Sequence, residues 1–433
     1  MPAPRTPAGA PHTTVQRTTE RQETKSLSPA LLLTLGLLSA VAPFATDLYL
    51  PAMPQIVDDL STTTSGAQFS LTAFLIGAAV GQLLFGPLSD RIGRRRPLLI
   101  GTALYLLASV AAALSPSVTL LVVFRLVQGV SGAAGMVIGR AVVTDRYRGT
   151  QAAQAMSLMM VVGGVAPVIA PFVGSTLADP IGWRGLLWIV AGLGLVALVC
   201  ILAVIPETHP HFTGKDAAQD AASAEPAHTT EGAHTTRVTQ TTGSGLTSRA
   251  FLAPVLAFAF GFATMMAYIS ASPFLYQKYM GMGTVQYGLA FAANALVLMV
   301  VSIVSAKLAL RYRVRTLTRV GLGVNLLGSL LFGLLVVVDA PAPSLMVPLL
   351  LVVGSLGLVL GNATSLALSA VPGASGAGSA ILGFLQFGLA GVVAPLVGVN
   401  GELDPAPLAV VMLVASVIAS VAVTVSPAKA YRL

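Results

Sequence analysis

Two ionisable residues of this 433-residue chain lie inside long apolar stretches. Asp47 is the only one of the sixteen acidic residues that we place within a predicted membrane span, near the outer end of the first span. Arg125 is the only basic residue placed inside a span. Charged side chains at membrane depth are costly and usually face a cavity or mark an ion pathway. These two residues therefore predict proton-coupled chemistry.

The predicted roles differ because the two groups titrate differently. Asp47 would take up a proton on one side of the membrane and release it on the other. Arg125 cannot deprotonate, so it would bias a carboxylate or a water chain instead of carrying the proton. The alternatives are that Asp47 only caps a helix or is hydrated at the interface, and that Arg125 is a structural residue satisfied by carbonyls. Gln128 lies one helical turn after Arg125, on the same helix face.

The composition indicates the class of protein that holds these residues. Hydrophobic residues make up 55% of the chain and charged residues 9%, against about 25% charged in soluble domains. The net charge of +8 comes from basic residues that punctuate apolar segments, which argues against nucleic-acid binding. The single cysteine, Cys200, excludes an internal disulfide, and the five histidines lack the spacing of a metal site. We therefore predict an all-α polytopic membrane protein with no metal and no cofactor.

Apolar segments of about 20 residues predict twelve transmembrane helices. They group into two six-helix bundles, 29–205 and 250–427, with a cytoplasmic tail at 1–28, a linker at 206–249 and a second tail at 428–433. The predicted spans are 29–50, 67–88, 97–115, 117–139, 153–178, 184–205, 250–275, 285–308, 316–338, 344–367, 376–398 and 405–427.

The basic residues predict the orientation of these spans. With both termini inside, 21 of the 24 lysines and arginines fall on the cytoplasmic side. Such a bias follows the positive-inside rule, so we predict a multi-pass protein of the plasma membrane with both termini in the cytoplasm.

The stretch from Gly86 to Pro97, GPLSDRIGRRRP, carries four arginines between two uncharged segments. We predict a tight cytoplasmic loop here. Its pattern G-x-L-x-D-R-x-G-R-R resembles the signature loop between the second and third helices of the major facilitator superfamily. The resemblance implies a conformational latch at the inner face, in which Asp145 would pair with the arginines of the loop. The residues assigned to this latch are Gly86, Asp90, Arg91, Gly93, Arg94, Arg95 and Asp145.

Three further stretches point to a subgroup of that family. The segment 46–54, TDLYLPAMP, resembles a sequence of the bicyclomycin- and chloramphenicol-resistance drug:proton antiporters, with one departure at Leu48. The segment 125–132, RLVQGVSG, resembles the fourth-helix motif of proton-coupled facilitators. The segment 163–174, GGVAPVIAPFVG, partly resembles the antiporter motif, in which prolines would kink the fifth helix. The kink is assigned to Gly163, Pro167, Pro171 and Gly174.

These resemblances imply a proton-coupled exporter of small amphipathic drugs that works by alternating access. We expect a monomer that needs no ATP, because no phosphate-binding loop is present, and that is not an enzyme. A proton-coupled nutrient symporter of the same superfamily is the alternative. Proton coupling is assigned to Asp47 and Arg125. Substrate binding is assigned to Asp47, Tyr49, Gln128, Tyr268, Phe274, Asn294 and Gln386.

Overall fold

The computed structural model describes residues 28–147, 149–208, 246–371 and 375–425. Within these ranges the secondary structure consists of α-helices and short 3₁₀ or π turns, with no strand. The helices are α1 (Pro29–Asp47), α2 (Met53–Asp59), α3 (Thr64–Ile92), α4 (Arg95–Ala113), α5 (Val118–Arg146), α6 (Gly149–Val204), α7 (Arg249–Phe274), α8 (Thr284–Leu308), α9 (Val314–Val337), α10 (Met346–Ser369), α11 (Ser375–Val393) and α12 (Ala406–Val425). The predicted all-α fold is confirmed.

Eleven segments of the described chain are long and apolar enough to cross a membrane. The difference from the predicted twelve arises in α6, whose 56 residues contain both the fifth and the sixth predicted spans. A straight helix of that length would extend about 84 Å, far more than the bilayer's hydrocarbon core of about 30 Å. Gly182 interrupts it with φ 65° and ψ 177°, a conformation that glycine adopts readily. The two arms of α6 are therefore each long enough for one crossing, so the described residues can supply twelve.

Two predicted spans end later in the structure than predicted. The first span does not end at residue 50: its apolar segment runs from Pro29 to Asp59, through a 3₁₀ turn at Leu50–Ala52 and then α2. Asp47 therefore lies well inside the segment and not near its outer end. The fourth span likewise continues beyond residue 139, to Arg146.

The stretch from Gly86 to Pro97 is also mostly helical, where a loop was predicted. α3 includes Pro87 and ends at Ile92, and α4 begins at Arg95, so only Gly93 and Arg94 join the two helices. Gly93 has φ 88°, which a residue with a Cβ would adopt only with strain. The connection is therefore a two-residue reversal.

We call residues 28–204 the first bundle and residues 249–425 the second bundle. α3 packs closely on α5, because a Cβ added at Gly129 would collide with the Phe74 carbonyl and one added at Gly77 with the Leu126 carbonyl. Between the bundles, α3 packs on α11 and α6 packs on α8. These four helices form part of the boundary between the bundles.

Candidate functional site

A cavity of about 450 Å³ lies between the two bundles. Its walls are mainly apolar, with four methionines (Met136, Met265, Met266 and Met299) and the aromatic rings of Phe74, Phe262, Tyr268, Phe291 and Phe387. Asp47 is the only charged residue among the described residues that line it, and the uncharged polar ones are Thr46, Tyr268, Ser302 and Gln386. Such a cavity suits a small, largely apolar molecule with few polar groups.

Asp47 reaches this cavity because α1 ends there. It is the last residue of α1, only 4% of its surface is exposed, and the chain then turns into the 3₁₀ segment Leu50–Ala52. The preceding Thr46 bonds its hydroxyl to the carbonyls of Ala42 and Pro43, at 3.2 and 3.0 Å. A helix end therefore presents the carboxylate to the space between the bundles.

Arg125 is fully buried inside the first bundle and does not line the cavity. Its guanidinium carbon lies 4.6 Å from the ring centroids of both Tyr49 and Phe74, which is cation–π geometry. Its Nη1 donates to Gln128 Oε1, and Gln128 Nε2 donates to Ser109 Oγ at 2.6 Å. Its Nε and Nη2 have no hydrogen-bond partner among the described residues. Two nitrogen atoms of this arginine therefore remain without an acceptor among the described residues.

Asp47 and Arg125 form no ion pair within 4.0 Å. The ring of Phe74 lies against the guanidinium and also lines the cavity. An aromatic wall therefore stands between the arginine and the space that the carboxylate faces.

The structure brings only some of the predicted substrate-binding residues to the cavity. Asp47, Tyr268 and Gln386 line it. The other four lie elsewhere. Tyr49 shares a 3.0 Å hydrogen bond with Ser70, and Gln128 is bonded to Arg125 and Ser109. Phe274 is the last residue of α7 and lines a different, small pocket, and Asn294 donates to Tyr276 and to the Ala290 carbonyl.

The second bundle supplies the aromatic side of the cavity. The ring of Tyr268 stacks on Phe291 at 5.7 Å and meets Tyr276 edge-on at 6.5 Å. Tyr268 is 1% exposed, and its hydroxyl has no hydrogen-bond partner among the described residues. A bound molecule with an acceptor could therefore satisfy this donor.

Two other asparagines of the second bundle hold helices together instead of facing the cavity. Asn325 of α9 donates to Ser355 of α10 at 3.1 Å and accepts from Ser416 of α12 at 2.6 Å. Asn362 of α10 donates to Ser305 of α8 at 2.9 Å. These bonds link helices of the second bundle.

The residues of the predicted fifth-helix kink all lie in α6. Pro167 lines the cavity, and Gly174 packs against the Leu48 carbonyl so closely that an added Cβ would collide with it. Gly163 and Pro171 lie within the helix, whose only residue with non-helical backbone angles is Gly182. The kink therefore remains a prediction, while Gly174 places α6 directly against the end of α1.

At the basic end of the first bundle, Arg94 makes most of the predicted latch contacts. Its Nε donates to Asp145 Oδ2 at 2.9 Å, and its Nη1 donates to Asp90 Oδ1 and to Ser89 Oγ. Burial lowers the pKa of Arg94, but its hydrogen bonds to Asp145 and Asp90 outweigh that effect, so the pKa is raised overall. Arg94 thus joins α3 to α5 as a permanent cation. Among the arginines with which Asp145 was predicted to pair, it is Arg94 that makes the contact.

The other predicted latch residues contribute less or differently. Arg91 is exposed. Gly86 accepts a 2.9 Å bond from Ser89 Oγ inside α3. Arg95 donates through Nη2 to the Leu202 carbonyl at 3.2 Å.

Glu207 is a residue at this end that the sequence analysis missed. Its carboxylate accepts from the backbone N–H groups of Arg94 at 2.8 Å and Arg95 at 3.1 Å, and a Cβ at Gly93 would collide with it. The carboxylate therefore satisfies backbone donors at the start of α4. Its negative charge also interacts favourably with the positive end of the helix dipole. Because 113 residues separate Glu207 from Arg94, no local pattern could have revealed the contact.

Comparisons with known proteins agree with this architecture. The model of the Major Facilitator Superfamily matches residues 35–395. An uncharacterized MFS-type transporter, YdgK of Bacillus subtilis, is 32% identical over 395 residues, which cover 91% of this chain and 94% of the relative. A bicyclomycin resistance protein homolog of Haemophilus influenzae is 26% identical, with 84% and 88% covered. The multidrug resistance protein MdtL of Shewanella oneidensis is 26% identical, with 91% and 94% covered.

Solved structures show the same fold at low sequence identity. A bacterial homolog of the human lysosomal transporter Spinster, in an inward-facing and occupied conformation, superposes with a TM-score of 0.69 at 16% identity, covering 91% of this chain and 95% of the other. A D-xylose-proton symporter superposes with a TM-score of 0.67 at 13% identity, covering 90% and 96%. With the family model matched over most of its length, the chain belongs to the major facilitator superfamily and is a multi-pass membrane transporter of small molecules, not an enzyme.

Proposed function

We propose that this protein exports small amphipathic drugs in exchange for protons. The observation that carries the proposal is the position of Asp47, the one charged side chain on the described wall of an apolar cavity between the bundles. Relatives named for bicyclomycin and multidrug resistance support drugs as the cargo.

In this mechanism the cavity binds the drug while Asp47 carries the proton. Methionine and aromatic side chains accept apolar molecules of varied shape, and Tyr268 and Gln386 offer polar anchors. Asp47 is protonated when the cavity faces outward and releases its proton when the cavity faces inward. Arg125 supports the charged form from behind Phe74 through its electrostatic interaction with the carboxylate.

The driving force is sufficient for resistance. One proton that enters while a neutral drug leaves gains about 2.3 kcal/mol per 100 mV of membrane potential. Since each 1.4 kcal/mol is tenfold in a concentration ratio, this supports a drug gradient of a few tens-fold. A pH gradient would add to that ratio.

We further propose the setting in which this exchange occurs. The basic residues favour the plasma membrane with both termini in the cytoplasm, so the end that holds Arg94 is the inner end. We propose that the protein functions as a monomer. ATP and nucleic acid have no part in the mechanism.

The test replaces the carboxylate without changing its size. Asp47→Asn in proteoliposomes should still bind a chloramphenicol-like or bicyclomycin-like drug but should no longer move protons when the drug is added. Asp339→Asn is the matched control, because Asp339 is exposed beyond the end of α9 and Asn tolerates its φ of 51°. The control should transport like the unmodified protein.

Two results would contradict the proposal. Uphill drug transport by Asp47→Asn with unchanged proton flux would place the coupling group elsewhere. Substrate and protons moving in the same direction would favour the symporter alternative.

A further inference from the structure

The helices that begin the two bundles lose α-helical geometry at the same end of the molecule. α1 ends at Asp47 and is followed by the 3₁₀ turn Leu50–Ala52, whereas α7 ends at Phe274 and is followed by a π turn, Leu275–Tyr279. π turns are rare and frequently occur at functional sites. The 3₁₀ turn and α2 both pack on α7, so the irregular segments meet across the bundle boundary.

Two polar contacts cross the boundary at this meeting point. Gln277 Nε2 donates to the Pro51 carbonyl at 2.9 Å. Lys278 Nζ lies 3.9 Å from Asp58 Oδ2 of the first bundle and 3.8 Å from Glu402 Oε2 of its own bundle. Lys278 is therefore shared between one carboxylate across the boundary and one on its own side.

The π turn directs two consecutive side chains, Tyr276 and Gln277, to different surroundings. Tyr276 is fully buried, and its hydroxyl accepts from Asn294 at 3.2 Å beside the aromatic cluster of the cavity. Gln277, the next residue, reaches the first bundle. Pro273 has no N–H to donate to the Ile269 carbonyl, one helical turn before it. The hydroxyl of Ser272 donates to that carbonyl instead and so supports the start of the turn. The turn thus connects the cavity wall with the contacts between the bundles.

We propose that Pro51, Asp58, Gln277 and Lys278 form an outer gate, which is closed in this structure. When the bundles separate at this end, the bonds of Gln277 and Lys278 to the first bundle break. Lys278 then keeps Glu402, so its charge remains paired in the open state and opening costs less. This inference depends on alternating access and on the orientation proposed above, but not on which molecule or ion is transported.

The two carboxylates around Lys278 allow a matched test. Cys200→Ser removes the native thiol, and Ala295→Cys places a reporter on the cavity wall. A membrane-impermeant maleimide is added to right-side-out vesicles without drug, and the labelling rate is measured. Asp58→Asn and Lys278→Met should each accelerate labelling about two- to fivefold. This factor corresponds to the stabilisation that an exposed ion pair gives to the closed state. Glu402→Gln should not accelerate it, because that pair lies within one bundle.

The outcomes separate this gate from a general loss of structure and from the proposed function. Equal labelling of all variants after denaturation, together with unchanged elution in detergent, shows that reactivity reports opening. The gate is refuted if Asp58→Asn and Lys278→Met label no faster than the parent, or if Glu402→Gln accelerates labelling as much as they do. The assay contains no substrate, so failure of drug:proton exchange would leave its result unaffected.

Discussion

Replacing Arg94 should be far more damaging than replacing Arg91, although both belong to the same basic stretch. Arg94 joins α3 to α5 through Asp90 and Asp145, whereas Arg91 is exposed. The sequence motif alone places the two arginines in one predicted latch. The structure separates them, and this difference can be measured.

The magnitude follows from the exposure of each partner. The Arg94–Asp145 pair is 10% and 12% exposed at its side chains, so this charged hydrogen bond should contribute about 1.5–3 kcal/mol. Asp90 is 64% exposed, so solvent screening leaves its pair with Arg94 about 0–1 kcal/mol. Arg94→Ala should therefore cost about 1.5–4 kcal/mol. Arg91→Ala should stay within about 0.5 kcal/mol, as surface substitutions usually do.

The assay compares apparent melting temperatures of the purified variants in one detergent, together with transport in proteoliposomes. Arg94→Lys adds a control for charge, because an ammonium group cannot reproduce the forked geometry that reaches Asp145, Asp90 and Ser89 together. We expect the order Arg91→Ala, Arg94→Lys, Arg94→Ala from most to least stable. Equal melting temperatures for the two alanine variants would refute the assignment of the latch contacts to Arg94.

Two further predictions concern the same end of the molecule. Glu207→Gln removes the charge that faces the start of α4 but keeps an acceptor, and should lower stability by about 1 kcal/mol in the same melting assay; no loss would show that the carboxylate is not needed there. Cysteines introduced at Thr213 or Arg313 in a Cys200→Ser background should react with an impermeant maleimide only in inside-out vesicles, and reaction in right-side-out vesicles would reverse the proposed topology.

Helical crossings were predictable because each apolar segment has to satisfy its own backbone within the membrane. Their ends were harder to place. Gly86 and Pro87 are typical of a break, yet α3 continues to Ile92, and Pro51 follows Asp47 without ending the apolar segment. Such residues are tolerated in membrane helices because neighbouring groups satisfy the freed carbonyls.

The site was predictable only where one residue type was informative by itself. Asp47 stands out because a carboxylate inside an apolar span is rare. Gln128 and Asn294 are as buried as Asp47. Only the structure shows that Gln128 bonds to Arg125 and Asn294 to Tyr276, and that neither lines the cavity. The role of a neutral polar residue depends on which face it occupies relative to distant helices, and one sequence does not contain that information.

The length of α3 connects a contact between the bundles at one end of the molecule with the Arg94 contacts at the other. Its 29 residues extend about 43 Å, so a tilt of about 10° around its midpoint would move its two ends by about 4 Å in opposite directions. One end carries Gln68, which donates to the Ser270 carbonyl of the second bundle at 3.1 Å, and the other carries Asp90. Such a tilt would break a bond between the bundles at one end of the molecule, and at the other end it would move the Arg94 contacts in the opposite direction.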